Sequence, residues 1–186
     1  MPTFKQTVDK LIESARSKGA KSAKLIPTKD VVVEDYVRRK CQFGCKMYAK
    51  RFCCPPYTPT PEETRRSLKN YSDALLIEYA GLGGVDEQRK VNEKMVELER
   101  EAFLGGLYKA SIYIGGPCRY CATCPAEDVQ YPSSFSKREC KNPLKARPSM
   151  ESCGIEVYKT VRKAGFKIDV VKSGEPYRSF MLLLLR

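Results

Sequence analysis

The chain contains no histidine, which removes Cys/His zinc fingers, histidine-based acid or base catalysis and imidazole-ligated iron or copper from consideration. It also has no long hydrophobic run. The longest, Phe180 to Leu185, is far short of the roughly 20 apolar residues that cross a bilayer. The opening stretch MPTFKQTVDKLIESARSKG turns charged almost at once and lacks the apolar segment and small-residue cleavage site of an export signal. These absences describe a soluble cytoplasmic protein with no membrane partner. One further absence is local: between Tyr36 and Pro61 there is no acidic residue.

At 186 residues the chain suits a single domain, 1–186, large enough to bury a core unaided. A bound metal would then be functional rather than a support for a failing mini-fold. Hydrophobic residues make up 42% and charged residues 30% of the chain, the composition of an ordinary globular protein and not of a disordered one. Nine cysteines are the exception. In a reducing cytoplasm, and in odd number, they point to metal or redox chemistry before disulfides.

Thr3 caps a predicted first helix in which Phe4, Val8, Leu11, Ile12 and Ala15 share one face, ending near Gly19. Short β-prone runs follow at Ala23–Ile26 and Val31–Val33. The stretch from Tyr36 to Pro61, with spaced cysteines and with Pro55, Pro56, Pro59 and Pro61 stiffening its end, reads as a loop built around something. Thr60, Pro61 and Glu63 supply a cap, a proline at the first helical position and a capping-box acid for a helix reaching about Asn70. Ala74–Ala80 predicts a buried strand, and Val91, Met95, Leu98 and Ala102 recur at helical spacing between Asp86 and Leu104.

A strand at Ser111–Ile114 runs into GGPC, after which little regular structure is predicted as far as Pro148. Ser149 then caps a helix through Lys163, followed by strands at Lys167–Val171 and Ser179–Leu185. The leucines of the last run do not alternate, which suits a strand covered on both faces. The order predicts an α/β fold: a single compact domain with a mixed sheet flanked by helices and two cysteine-rich loops, each following a strand.

The chemistry concentrates in those loops. Cys118-x2-Cys121-x2-Cys124 has the spacing by which a ferredoxin-type loop wraps three corners of a cubane cluster and turns its amides toward the sulfurs. Zinc ribbons use two separated Cys-x2-Cys pairs instead, and zinc is the alternative metal. Cys140 is the natural fourth ligand, either closing this site or serving a neighbouring one. The second group, Cys41-x3-Cys45-x8-Cys54-Pro55-Pro56, can cap one face of a cluster. Cys53 and Cys54 are adjacent, and successive side chains of an extended segment point in opposite directions. Cys54 is therefore the candidate ligand and Cys53 a packed or accessory thiol. Cys153 near a predicted helix start can complete a fourth corner, neighbour an anionic ligand, or simply pack as a small buried residue.

The segments CQFGCKMYAKRFCCPPYTPTPEE, GGPCRYCATC and NPLKARPSMESCGIEVYKT together resemble, across nearly the whole chain, a family of predicted metal-binding proteins of unknown function common in anaerobic bacteria and archaea. Its characteristic positions fall here on Cys41, Cys45, Tyr48, Cys54, Pro55 and Pro56, on Gly116, Cys118, Cys121, Cys124, Cys140 and Pro143, and on Arg147, Pro148, Ser149, Met150, Glu151 and Gly154. The resemblance implies metal binding, iron-sulfur in kind, in an oxygen-poor cytoplasm, and supplies no reaction. This chain departs from the pattern in placing Cys53 beside the Cys-Pro-Pro cysteine.

The formal charge of +12 counts every thiol as neutral; two four-thiolate [4Fe-4S] sites would lower it to about +8. Arg38, Arg39, Lys40, Lys46, Lys50 and Arg51 crowd the first cysteine group, and Lys137, Arg138, Lys141, Lys145 and Arg147 the end of the other. They form either a solvated face that offsets cluster charge or a docking face for an acidic redox protein partner. Tyr48, Phe52, Tyr57 and Tyr120 interleave with them as base-stacking residues do, but no nucleic-acid module accompanies them, and shielding of a cluster is preferred to nucleic-acid binding. Arg147 with Ser149 can face a small anionic ligand or form a structural cap.

Three functional expectations follow. The first is a cytoplasmic iron-sulfur protein with one or two [4Fe-4S] clusters in electron transfer. Cys118, Cys121, Cys124 and Cys140 would hold one cluster, and Cys41, Cys45 and Cys54, with Cys153, the other. The second is an iron-sulfur enzyme whose three-cysteine cluster keeps one iron open for Lewis-acid or sulfur-transfer chemistry. The third is a structural zinc protein with a docking or nucleic-acid-binding role.

Overall fold

The computed structural model describes residues 2–130, 135–172 and 174–186. Helix α1 (Phe4–Ser17) starts from a capping box. The Thr3 hydroxyl accepts the Gln6 N–H, and the Gln6 side chain accepts the Thr3 N–H at 2.8 Å. A second box, built from Thr60 and Glu63 with Pro61 at the first position, starts α3 (Pro61–Leu68). Between them lie β1 (Ser22–Pro27) and α2 (Asp35–Gly44). Then come β2 (Asp73–Leu82), α4 (Val85–Leu104), β3 (Ser111–Tyr113), α5 (Val157–Lys163) and β4 (Tyr177–Leu184).

The strands form one four-stranded sheet in the order β1-β2-β4-β3, with every ladder antiparallel. The parallel component is a single bridge, Ile114 to Ser149, just past the end of β3. The domain is α/β, with helices packed on the sheet as the element order predicts.

Both faces of the sheet are covered, which accounts for the unalternating leucines. Leu75, Ile77, Met181 and Leu183 point into one core with Val8 and Leu11 of α1 and Met95 and Leu98 of α4. Their neighbours Ala74, Leu76, Leu182 and Leu184 point into a second core with Met150, Cys153, Ile155 and Val161. The second core thus contains a cysteine. A third, small cluster of Phe52, Tyr57, Cys124 and Ala126 lies apart from the sheet.

Four expectations are corrected. Residues 35–44, expected to be loop, form α2, because Arg38, Arg39, Lys40 and Gln42 are good helix formers and Val37 gives the helix a buried side. Val31–Val33 is not a strand; Val33 makes one bridge, to Ile155. The helix expected from Ser149 is interrupted at Gly154, whose φ of 81° ends a short 3-10 turn at Glu151–Cys153 and lets Ile155 reach Val33 before α5 begins. Lys167–Val171 carries no strand, since β2 and β3 already occupy both edges of β4. Among the described residues no helix is long and apolar enough to cross a membrane.

Leu182 and Leu183 are both wholly buried, on opposite faces. Truncating either to alanine is expected to cost about 2–5 kcal/mol in urea unfolding. A negligible loss for one of them would show that its face of the sheet is not a core.

Candidate metal centre

The thiols come from five separate segments, and the fold brings the segments together through a few polar ties. Cys41 lies in the last turn of α2, and Cys45 follows it one turn on, its N–H donating to the Cys41 carbonyl at 3.3 Å. From the same helix Arg38 reaches across to the turn that follows Cys54 and to the turn that carries Cys153. Its guanidinium donates to the carbonyls of Thr58 (3.1 Å), Pro59 (2.7 Å) and Ser152 (2.9 Å). The Thr58 hydroxyl also donates to Ser152 O at 2.7 Å. Arg38 was grouped by sequence with the surface charge; it is instead a clamp that sets Cys153 beside Cys41.

Arg51 makes the corresponding tie to the other loop. It is only 8% exposed. It pairs with the Glu127 carboxylate and donates to Ala122 O at 3.1 Å, on either side of Cys124. Tyr57 adds a hydrogen bond from its hydroxyl to Ala126 O at 3.0 Å. Phe52 stacks edge-on against Tyr57 with ring centroids 5.0 Å apart, so these aromatics wall off Cys124 and are not presented for base stacking. At the entry to the loop, Asn92 of α4 grips Gly115 twice, donating to its carbonyl at 3.0 Å and accepting its N–H at 3.3 Å. A Cβ at Gly115 would collide with the Ser179 hydroxyl and lie 2.8 Å from the Gln88 amide nitrogen, so glycine is required by space.

Mutual electrostatics sort the thiols into two sets. Burial raises Cys54 to about 12, with the charges of Cys45 and Cys41 adding to the effect and Arg51 opposing it. Burial likewise raises Cys153 to about 12; Ser152 and Arg38 pull it down, while Glu151 and Cys41 push it up. Cys41 is raised by burial and then by Cys45. In the other set Cys140 is raised by burial and by the charges of Cys118, Cys124 and Cys121. Cys140 thus adjoins Cys118, Cys121 and Cys124, and Cys41 adjoins Cys45 and Cys153, while Cys54 is within reach of Cys41 and Cys45 and also of Cys118, so the two sets adjoin.

Cys53 stands between the sets. It is buried, and its interaction with Cys118 raises its own pKa and lowers that of Cys118. Adjacent Cys53 and Cys54 turn to different sets. Among the described residues no three Cys, Asp or Glu side chains close tightly on a single point. The donor set is nonetheless that of a soft-metal or iron-sulfur site: thiols without imidazole. Its surroundings agree, since the Asn142 amide donates to the Cys121 sulfur at 3.1 Å. Tyr120 Oη and Arg51 Nε are buried beside the thiols with no partner among the described residues. No sequence signal singled out Asn92, and Asn142, though it opens the segment NPLKARPS, was not among the positions named there. Arg147, considered for an anion, is ion-paired with Glu99 at 2.7 Å, and Ser149 accepts the Ser152 N–H as a cap.

An α/β scaffold that draws thiols from several segments toward one another, with the Asn142 amide turned to one of them, is of a class suited to binding a soft metal. Residues 24–185 match the family described as predicted metal-binding protein (DUF2284), and the chain belongs to it. No curated protein and no solved structure matches the chain.

Two outcomes are expected. Arg51→Met should cost on the order of 2 kcal/mol and speed amide exchange across Ala122–Asp128, since it removes charge-assisted bonds between the loops. Unchanged exchange there would show that the loops hold together without it. Because Cys54 and Cys153 sit at about 12, both are protonated at neutral pH in the metal-free protein. Metal uptake must expel those protons, and apparent affinity should rise with pH. Calorimetry in buffers of different ionisation enthalpy would count the protons; none released would contradict thiolate ligation.

Proposed function

We propose that this metal-binding protein is an iron-sulfur protein that carries a [4Fe-4S] cluster at each set of thiols and exchanges single electrons with an acidic partner. What supports the reading is the gathering of thiols without imidazole from five segments, Cys140 beside Cys118, Cys121 and Cys124, and Cys41 beside Cys45 and Cys153. Cys118, Cys121, Cys124 and Cys140 would hold one cluster, and Cys41, Cys45, Cys54 and Cys153 the other. Bound clusters supply the one-electron chemistry.

The chain's own residues tune it. Asn142 donates an N–H to the Cys121 sulfur and so favours the more negative, reduced state. Phe52, Tyr57 and Ala126 keep water from Cys124. Arg39, Lys46 and Lys50 stand exposed around Cys45 with no acid among residues 36–61, which suits an acidic partner.

A second reading is favoured by one feature of the first set. Cys45 is exposed, and it lines, with Cys41, an open groove of 1230 Å³. If Cys41, Cys45 and Cys54 were to hold a cluster by three corners, its open iron would supply Lewis-acid or sulfur-binding chemistry, and the groove lined by Cys41 and Cys45 would give a ligand access to that set.

Anaerobically purified protein is expected to contain about eight iron and eight sulfide per chain, with broad absorption near ~400 nm that bleaches on reduction. Cys121→Ser and Cys45→Ser should each remove about half of the iron. About two zinc per chain without that absorption would replace both iron readings with a structural zinc protein.

A further inference from the structure

We infer that a second, largely apolar cavity beside the first set of thiols binds a small organic carboxylate, gripped by Lys40 and Arg119. The cavity encloses 450 Å³ where the N-termini of α4 and α5 meet the start of β4, a volume suited to a small molecule. Val157, Ile168 and Phe180 supply apolar walls, and Tyr36, Tyr158 and Tyr177 aromatic ones.

Five charged side chains line it, and three are already engaged or occupied. Arg178 is paired with Glu78 at 2.5 Å, and Glu156 caps α5 by accepting the Lys159 N–H. Glu151 contributes one negative charge to the wall. Lys40 and Arg119 remain. Among the described residues neither lies within ion-pair distance of a carboxylate. The Lys40 ammonium sits over the Tyr36 ring at 5.2 Å, and Arg119 is half-buried. A half-buried guanidinium without an anion is an incomplete pair, and its planar fork matches a carboxylate. Glu151 and Glu156 balance Lys40 and Arg119 in sum, so a ligand is held by direct contact with the two unpaired cations and not by a net charge of the cavity. A singly charged carboxylate on an apolar body suits that arrangement, whereas a dianionic phosphate would be opposed by both acids.

The cavity is not isolated from the thiols. Tyr36, Val37, Lys40, Pro117, Arg119 and Glu151 line both it and the groove that reaches Cys41 and Cys45. A carboxylate held at Lys40 and Arg119 would therefore stand at the junction, with its other end free to extend along either arm. The binding site stands on the cavity and the cations; its role as the substrate site of an open iron rests on the second reading above.

The chain has no tryptophan, so Val85→Trp, at an exposed position on the cavity rim, places there a sole tryptophan that can be excited apart from the tyrosines at the red edge of absorption. Titration of this protein, purified anaerobically, with benzoate should give a saturable fluorescence change, and the neutral isostere benzamide should bind about tenfold more weakly or less. Lys40→Gln and Arg119→Gln in the same background should each weaken benzoate binding by about tenfold. No saturable response to benzoate, or equal affinity for benzamide, would overturn the assignment, and that comparison alters no residue near a thiol. Iron and sulfide are assayed on the same samples. Full cluster content without benzoate binding would remove the carboxylate site alone, and benzoate binding without iron would remove the iron-sulfur reading alone.

Discussion

A single buried cation holds the metal-side half of the molecule together. The Arg51 guanidinium lies almost out of solvent between two loops that are distant in sequence, bound to the Glu127 carboxylate and the Ala122 carbonyl of one loop and the Lys50 carbonyl of its own. A buried charge is tolerable only when its partners are in place. Arg51 therefore makes the two loops conditional on each other: neither can depart without leaving the charge stranded. The same charge favours the thiolate forms of Cys54 and Cys118, so the residue that joins the loops also supports the charge a metal would require of them.

The sheet makes this arrangement possible by being covered on both sides. Because β2 and β4 bury alternate residues in different cores, one face is committed to α1 and α4 and the other to the segments around Met150 and Val161. Cys153 belongs to that second core and is wholly buried. Its position is thus set by packing, and Arg38 then draws the neighbouring turns to it. Rigid backing of this kind suits a site with several thiols, since it holds them together before any metal is bound and when they become thiolates.

Much of the scaffold was legible because its signals are local. The capping boxes at Thr3 and Thr60 need only residues three apart, and the leucines of β4 announce burial on both faces. The failures were non-local. Nothing in Lys167–Val171 itself reveals that the edges of β4 are already taken, and Gly154 breaks a helix because Ile155 has a partner far away at Val33. For the site, spacing drew attention to the cysteine-rich segments, which the fold brings near one another. Spacing could not reveal that Cys53 is hydrogen-bonded to Cys118, nor that Arg38 and Arg51 are interior ties rather than surface charge. Such roles depend on what the fold sets opposite a residue, and a single sequence does not carry that.

The position of β4 has a consequence for how the protein comes into being. It follows every cysteine in the chain, yet it lies in the interior of the sheet between β2 and β3. A chain still emerging from the ribosome has all of its thiols made while the strand that unites its sheet is not. Until β4 inserts, β2 and β3 share no hydrogen-bonded neighbour, and only α4 and the ties between the loops relate them. Thiols exposed before β4 has inserted would therefore meet neighbours different from those of the folded chain.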